Sequence, residues 1–207
     1  MVGVLEAARL YAITPDAEPA TILNLVGAVL RGGADVVQLR HKLLARGELL
    51  ELAREVGSLV REAGRVFIVN DHLDLALLAG ADGVHLGRDD LPVEAARRVA
   101  GREFLIGASA NTPELARAAV AAGADYLGAG PAFPSSVKAE KAVIGPAGVA
   151  AVAKAVPVPV FAIGGVEPGN VAELVAAGVR RACVIRGLAD ASDPEAAARE
   201  LKAALVV

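Results

Sequence analysis

Eight short apolar runs recur along the chain, each separated from the next by a stretch with helical signals, and this alternation limits the fold more than any other feature. The runs occupy residues 10–13, 36–40, 66–70, 83–87, 104–109, 126–130, 160–165 and 182–187. Most are apolar throughout and do not alternate with polar residues, as expected of parallel strands covered on both faces. The intervening segments carry helix starts and stops. Thr112-Pro113-Glu114 and Asp193-Pro194-Glu195 each read as N-cap, first-turn proline and first-turn acid. Gly64, Gly80, Gly123 and Gly178 sit where a helix needs a left-handed closing residue. A weak repeat supports the count: GGADVV (32–37), AGADGV (79–84), AGADYL (122–127) and a degraded AGVRRA (177–182) precede every second run. Four βαβα quarters predict a single-domain α/β chain, a (β/α)8 TIM barrel over residues 1–207, with a doubly wound open sheet as the runner-up.

The 207 residues, 55% hydrophobic and 22% charged, suffice for one substantial core. A net charge of -3 and a pI near 5.7 argue against nucleic acid or an anionic membrane as partner. Mean hydropathy is +0.50, yet no stretch approaches the roughly 18 uncharged apolar residues of a spanning helix. The N-terminal MVGVLEAARLYAI has no basic lead or cleavage site and is expected to run straight into the first strand. With one cysteine, Cys183 in an apolar run, an internal disulfide is excluded and a cytoplasmic location is the default expectation. Cys183 itself reads as a buried, inert thiol.

In a barrel, function is expected at the carboxyl ends of the strands. Asp71 and Asp90 fall just past the third and fourth runs, where ionised carboxylates help neither strand pairing nor core packing. One or two carboxylates, completed by water and a substrate phosphate, are the usual protein ligands of Mg²⁺, so a magnesium site handling a phosphorylated substrate is one reading. The other is that each aspartate caps the helix that follows it. Gln38, Arg40 and Lys42 after the second run, Asn70, Ser109 and Asn111, then Ser135, Ser136 and Lys138 fall at the same rim. Arginine offers a planar fork to phosphate oxygens and lysine a point charge, which suits a diphosphate held through a metal. The alternative for Arg40, Lys42 and Lys138 is a solvated loop. Gly164 and Gly165 end the seventh run, at the loops where barrels usually bind phosphate, and Arg186 ends the eighth. His41, His72 and His85 have no Ser or Cys partner at a motif spacing, and His85 reads as a packed core residue.

Together, VVQLRHK, FIVNDHLDLALLAGADGVHLGRDDLP, LIGASANTPE, GAGPAFPSSVK and FAIGGVEPGNV resemble the thiamine-phosphate synthase family, in the same order over nearly the whole chain. The resemblance implies a (β/α)8 transferase with Mg²⁺ as cofactor. Its partners would be small phosphorylated molecules: the enzyme joins hydroxymethylpyrimidine diphosphate to thiazole phosphate and releases diphosphate and thiamine phosphate. It implies that Asp71 and Asp90 hold the metal. The element from Gln38 through Leu39, Arg40 and His41 to Lys42, with Asn70, Ser109 and Lys138, would bind the pyrimidine diphosphate. Arg40, Lys42, Ser109 and Lys138 would carry the catalytic roles. Ser135, Ser136, Val137, Gly165, Ile185 and Arg186 would receive the thiazole phosphate. In the family, diphosphate departs first and the thiazole nitrogen attacks the resulting pyrimidine-stabilised carbocation. Self-association into a homo-oligomer is left open.

The chain departs from the family pattern in one loop and at three single positions. Its P-T-x-T-K loop reads Pro134-Ser135-Ser136-Val137-Lys138, Arg186 stands where Ser is usual, and His41 and Asn111 replace a common Glu and His. Two alternatives follow: a thiazole tautomerase-like paralogue that needs no metal, and a non-catalytic barrel that only binds a phosphorylated ligand. The metal carboxylates, absent as a rule from the tautomerases, together with Asn111, favour the synthase over the first. Intact Asp71, Asp90 and Lys138 oppose the second.

Overall fold

The eight runs become eight parallel strands: β1 Leu10–Ile13, β2 Val36–Leu39, β3 Val66–Asn70, β4 Gly83–Leu86, β5 Leu105–Ser109, β6 Tyr126–Ala129, β7 Val160–Ile163 and β8 Ala182–Val184. They pair in chain order and β8 pairs back to β1, which closes a barrel and disposes of the open-sheet alternative. The structure is a computed structural model that describes residues 2–134 and 142–206. Its helices are α1 Val2–Ala7, α2 Pro19–Arg31, α3 Arg46–Glu62, α4 Leu73–Leu78, α5 Val93–Ala100, α6 Pro113–Ala121, α7 Gly145–Lys154, α8 Val171–Ala176, α9 Arg186–Ala189 and α10 Pro194–Val206. Among the described residues, no helix is long and apolar enough to cross a membrane.

Local sequence explains the punctuation. Thr112 accepts the Leu115 N–H at 3.3 Å and Asp193 accepts the Ala196 N–H at 3.0 Å, as their N-cap positions require. Gly64, Gly80, Gly123 and Gly178 all have positive φ. One expectation is corrected: the N-terminus does not run straight into β1 but first forms α1. Its Leu5 is fully buried with Val66, Phe161 and Cys183 at the barrel axis, so the mouth at the strands' N-terminal ends is filled by a side chain rather than by water.

Alternation along each strand sorts the core into two layers. Tyr11, Val36, Ile68, Leu105, Tyr126 and Phe161 point inward, while Leu10, Val37, Val69, Ile106, Leu127 and Ala162 pack under the helices. Three aromatic rings fit the narrow interior because the strands nearby supply glycine. A Cβ on Gly107 would lie 2.1 Å from Tyr126 Cζ.

The repeated Gly-Ala-Asp segments have a common task. Asp35 accepts the Arg9 and Leu10 N–H groups at 2.7 and 3.0 Å, Asp82 accepts Phe67 N–H at 2.8 Å, and Asp125 accepts Ile106 N–H at 2.7 Å. Each carboxylate thus ties the entrance of one strand to the start of its predecessor. In the degraded fourth copy, Arg181 stands beside the strand start and donates instead to the Glu6 carbonyl at 2.7 Å.

Candidate active site

Asp71 closes β3 with φ +61, the one positive φ outside glycine among the described residues. Aspartate tolerates this left-handed backbone better than most residues, and its N–H is held by the His85 carbonyl at 2.9 Å. The turn brings its carboxylate within hydrogen-bonding reach of Asp90. Asp90 is itself fixed by the Gly87 N–H at 2.7 Å. Neither aspartate caps a helix: His72 and Pro92 occupy the N-cap positions of α4 and α5, without side-chain capping bonds. The capping alternative is therefore replaced by a facing carboxylate pair.

Burial and the neighbouring Asp90 carboxylate raise the Asp71 pKa above the ordinary carboxylate value, with Lys42 and His72 acting in the opposite sense. Lys42 Nζ lies 3.7 Å from Asp71 Oδ2. Two like charges held together at a half-buried rim are costly unless a cation or proton lies between them, and this is the arrangement that fits a divalent metal. Among the described residues no group of three or more His, Cys, Asp or Glu comes together. A cation held between Asp71 and Asp90 would have two carboxylate donors, the hard-oxygen, water-completed type that suits magnesium rather than a zinc cage.

The other predicted residues are placed as follows. Gln38 points into the barrel, is 3% exposed, and donates from Nε2 to Tyr11 Oη at 2.7 Å; Tyr11 and Tyr126 hydroxyls lie 2.9 Å apart. Asn70 ends β3 at the same level as His85, and Ser109 Oγ lies 3.1 Å from His85 Nε2. Leu39 packs in the layer beneath the helices and presents no side chain to the rim. His41 was expected at the substrate, yet both of its ring nitrogens are engaged by main-chain groups. Ser135, Ser136, Val137 and Lys138 lie outside the described residues.

Two loops, after β6 and β7, meet at the same rim. Ala132 and Phe133 N–H groups donate to the Ile163 and Gly164 carbonyls at 2.9 and 3.0 Å. A Cβ on Gly165, φ +66, would lie 2.6 Å from the Pro134 carbonyl oxygen, so only glycine admits this approach. Asn170 holds the loop's shape, donating to the Gly165 carbonyl at 2.8 Å and accepting Glu167 N–H at 3.0 Å. Gly187 abuts the Val166 carbonyl, which brings Ile185 and Arg186 to the same loop. Arg186 Nε donates to Asp190 at 2.8 Å along the exposed face of α9.

Sequence reading missed the first loop. Thr14 and Asp16, just past β1, bind the segment that carries Arg40 and Lys42. Thr14 Oγ1 donates to the Arg40 carbonyl and accepts its N–H, both at 2.9 Å. Asp16 takes the Lys42 N–H at 2.6 Å and an Arg40 guanidinium N–H at 2.8 Å. Although burial works against it, these donors hold the Asp16 carboxyl below its ordinary range. The signal was present, since an acid just past an apolar run is what singled out Asp71 and Asp90.

Residues 10–188 match the TMP-TENI family, described as thiamine monophosphate synthase. The chain belongs to this family. It is 43% identical over 197 residues to thiamine-phosphate synthase of Haloquadratum walsbyi, spanning 93% of this chain and 88% of that one. Its identity to thiamine-phosphate synthase of Anaeromyxobacter dehalogenans is 47% over 199 residues, 94% of this chain and 86% of that one. The solved thiamine phosphate pyrophosphorylase from Pyrococcus furiosus superposes with a TM-score of 0.88 at 36% identity, covering 98% of both chains. A 3-hexulose-6-phosphate synthase from Salmonella typhimurium, TM-score 0.74 at 17% identity, shares the barrel fold with the family.

Proposed function

We propose that this chain is a thiamine-phosphate synthase: it transfers the hydroxymethylpyrimidine group from its diphosphate to thiazole phosphate, releasing diphosphate. The observation that carries this reading is the Asp71–Asp90 pair with Lys42 beside it, at the catalytic rim of a barrel belonging to this family. Departure of diphosphate concentrates negative charge on the leaving oxygens, so the reaction asks mainly for positioning and charge neutralisation. Mg²⁺ held by Asp71 and Asp90 would supply the largest part of that neutralisation. Arg40 and Lys42 would grip the diphosphate oxygens, the first as a fork and the second as a point charge. Gln38, Asn70 and Ser109 would orient the pyrimidine from the barrel interior. Gly165 and the backbone at Ile185 and Arg186 would take the thiazole phosphate, with Ser135, Ser136 and Lys138 completing the site. No general base is required if the thiazole nitrogen attacks a carbocation, and the rim presents cations and carboxylates accordingly.

The test is direct. Purified protein is incubated with both substrates and Mg²⁺, and thiamine phosphate and diphosphate are followed together. Equimolar formation of the two, abolished by chelation, is expected. No product beside an active control enzyme would sink the reading, and metal-independent thiazole isomerisation would replace it with a tautomerase.

A further inference from the structure

The segment joining β2 to α3 has no regular structure, yet four of the five N–H groups in residues 40–44 are taken by side chains. Arg40 donates to Thr14 Oγ1 at 2.9 Å, Lys42 to Asp16 Oδ1 at 2.6 Å, and Leu43 and Leu44 to His41 Nδ1 at 3.2 and 3.0 Å. The other ring nitrogen, Nε2, lies 3.1 Å from the Ala17 carbonyl oxygen. A ring nitrogen that accepts two N–H groups carries no proton, so the ring's proton resides on Nε2 and is donated to Ala17. His41 thereby pins its own loop through Nδ1 and the β1–α2 loop through Nε2, with its side chain only 6% exposed.

We propose that His41 is a positioning residue for the two cations that grip the diphosphate, and this rests on the synthase reading of the rim. Lys42 sits between His41, whose ring is locked, and Leu43, whose amide that ring holds. Its own amide is held by Asp16, so its backbone has little freedom. Arg40 is fixed on both sides of its peptide by Thr14 and at its guanidinium by Asp16. A lysine stem is long and mobile, so anchoring its base lowers the ordering cost of each binding event. Displacement of a reacting group's support by about 1 Å can cost 10²-fold in rate. His41 reaches the diphosphate only through Arg40 and Lys42, because its own nitrogens are spent on main-chain partners.

The experiment compares wild type, His41→Ala and His41→Asn. Asparagine keeps an acceptor on Cγ, where Nδ1 stands in histidine, and can receive the Leu43 and Leu44 N–H groups. For His41→Ala, KM for the pyrimidine diphosphate should rise about 10-fold or more and kcat should fall, while KM for thiazole phosphate stays within about twofold. His41→Asn should recover most of the loss. Hydrogen exchange at the Leu43 and Leu44 amides should quicken in the alanine variant and slow again in the asparagine one. Wild-type kinetics in His41→Ala, parallel rises in both KM values, or no rescue by asparagine would each overturn the proposal. If wild type forms no thiamine phosphate, the synthase reading alone fails. The positioning role is then judged by the two amides and by calorimetric binding of inorganic diphosphate with Mg²⁺, and unchanged values in His41→Ala would overturn it.

Discussion

Replacing Arg97 by alanine is expected to lower the melting temperature by about 6–12 °C without altering turnover at room temperature. The Arg97 guanidinium donates to the carbonyls of Gly101, Phe104 and Gly123 at 2.7, 2.6 and 2.8 Å and to Asp125 Oδ2 at 2.5 Å. Asp125 in turn holds the Ile106 N–H, so one side chain joins two loops at the strands' N-terminal ends to the start of β5. Both partners are 18% exposed. Breaking a fully buried ion pair costs about 3–5 kcal/mol. Partial access for water brings the expected loss toward the lower end, about 3 kcal/mol, and each kcal/mol shifts a domain of this size by roughly 2–4 °C. Arg31→Ala supplies the control, because its pair with Glu195 is 65% and 31% exposed and, screened by solvent, should contribute little. Scanning calorimetry of Arg97→Ala, Asp125→Asn and the double variant gives the coupling directly. A melting temperature for Arg97→Ala equal to that of Arg31→Ala would refute the argument. So would additive losses in the double variant, or a fall in kcat, since the clasp lies at the end of the barrel opposite the catalytic rim.

Gly107→Ala should destabilise by about 1–3 kcal/mol or more, because its Cβ would meet the Tyr126 ring, while Gly47→Ala, with nothing within 4 Å, should be neutral or slightly stabilising; urea midpoints measure both. The raised Asp71 pKa makes the folded chain retain a proton that the unfolded chain, with a pKa of about 3.9, releases. Its stabilising contribution is complete below about pH 4 and fades as pH rises through the folded value, so Asp90→Asn should flatten the decline in metal-free melting temperature from about pH 4 upward. Parallel curves for wild type and variant would count against the facing-carboxylate geometry. Mg²⁺ should raise the wild-type melting temperature and leave that of Asp90→Asn nearly unchanged. Burial pushes the Cys183 thiol well above its ordinary pKa, so a thiol reagent should label it only after denaturation.

The strands, the closing glycines and the two proline-led helix starts were legible because each depends on residues within a turn or two. The places of Asn70, Asp71, Asp90 and Ser109 at one rim were equally legible, since strand ends put them there. Partnerships across loops were not. Asp16 finds its partners 24 and 26 residues later, and nothing local to Thr14-Pro15-Asp16 announces the segment it holds. The choice between capping and pairing for Asp71 and Asp90 also lay beyond local pattern. It is decided by a left-handed turn that depends on a bond to His85 in the adjacent strand. The short α1 was missed for the same reason: Leu5 has meaning only against residues gathered from seven strands.

The side-chain ties on residues 40–44 have a thermodynamic corollary. Fixing a backbone residue costs about 1–2 kcal/mol of conformational entropy, whenever it happens. Here the ordering of a five-residue segment is charged to folding, offset there by Thr14, Asp16 and His41, and not to each encounter with substrate. A variant that freed the segment would lose the cost and its offsetting bonds together, and would impose the ordering on every turnover. Affinity would then fall with little change in stability, at a loop that stability screens alone would leave free to drift.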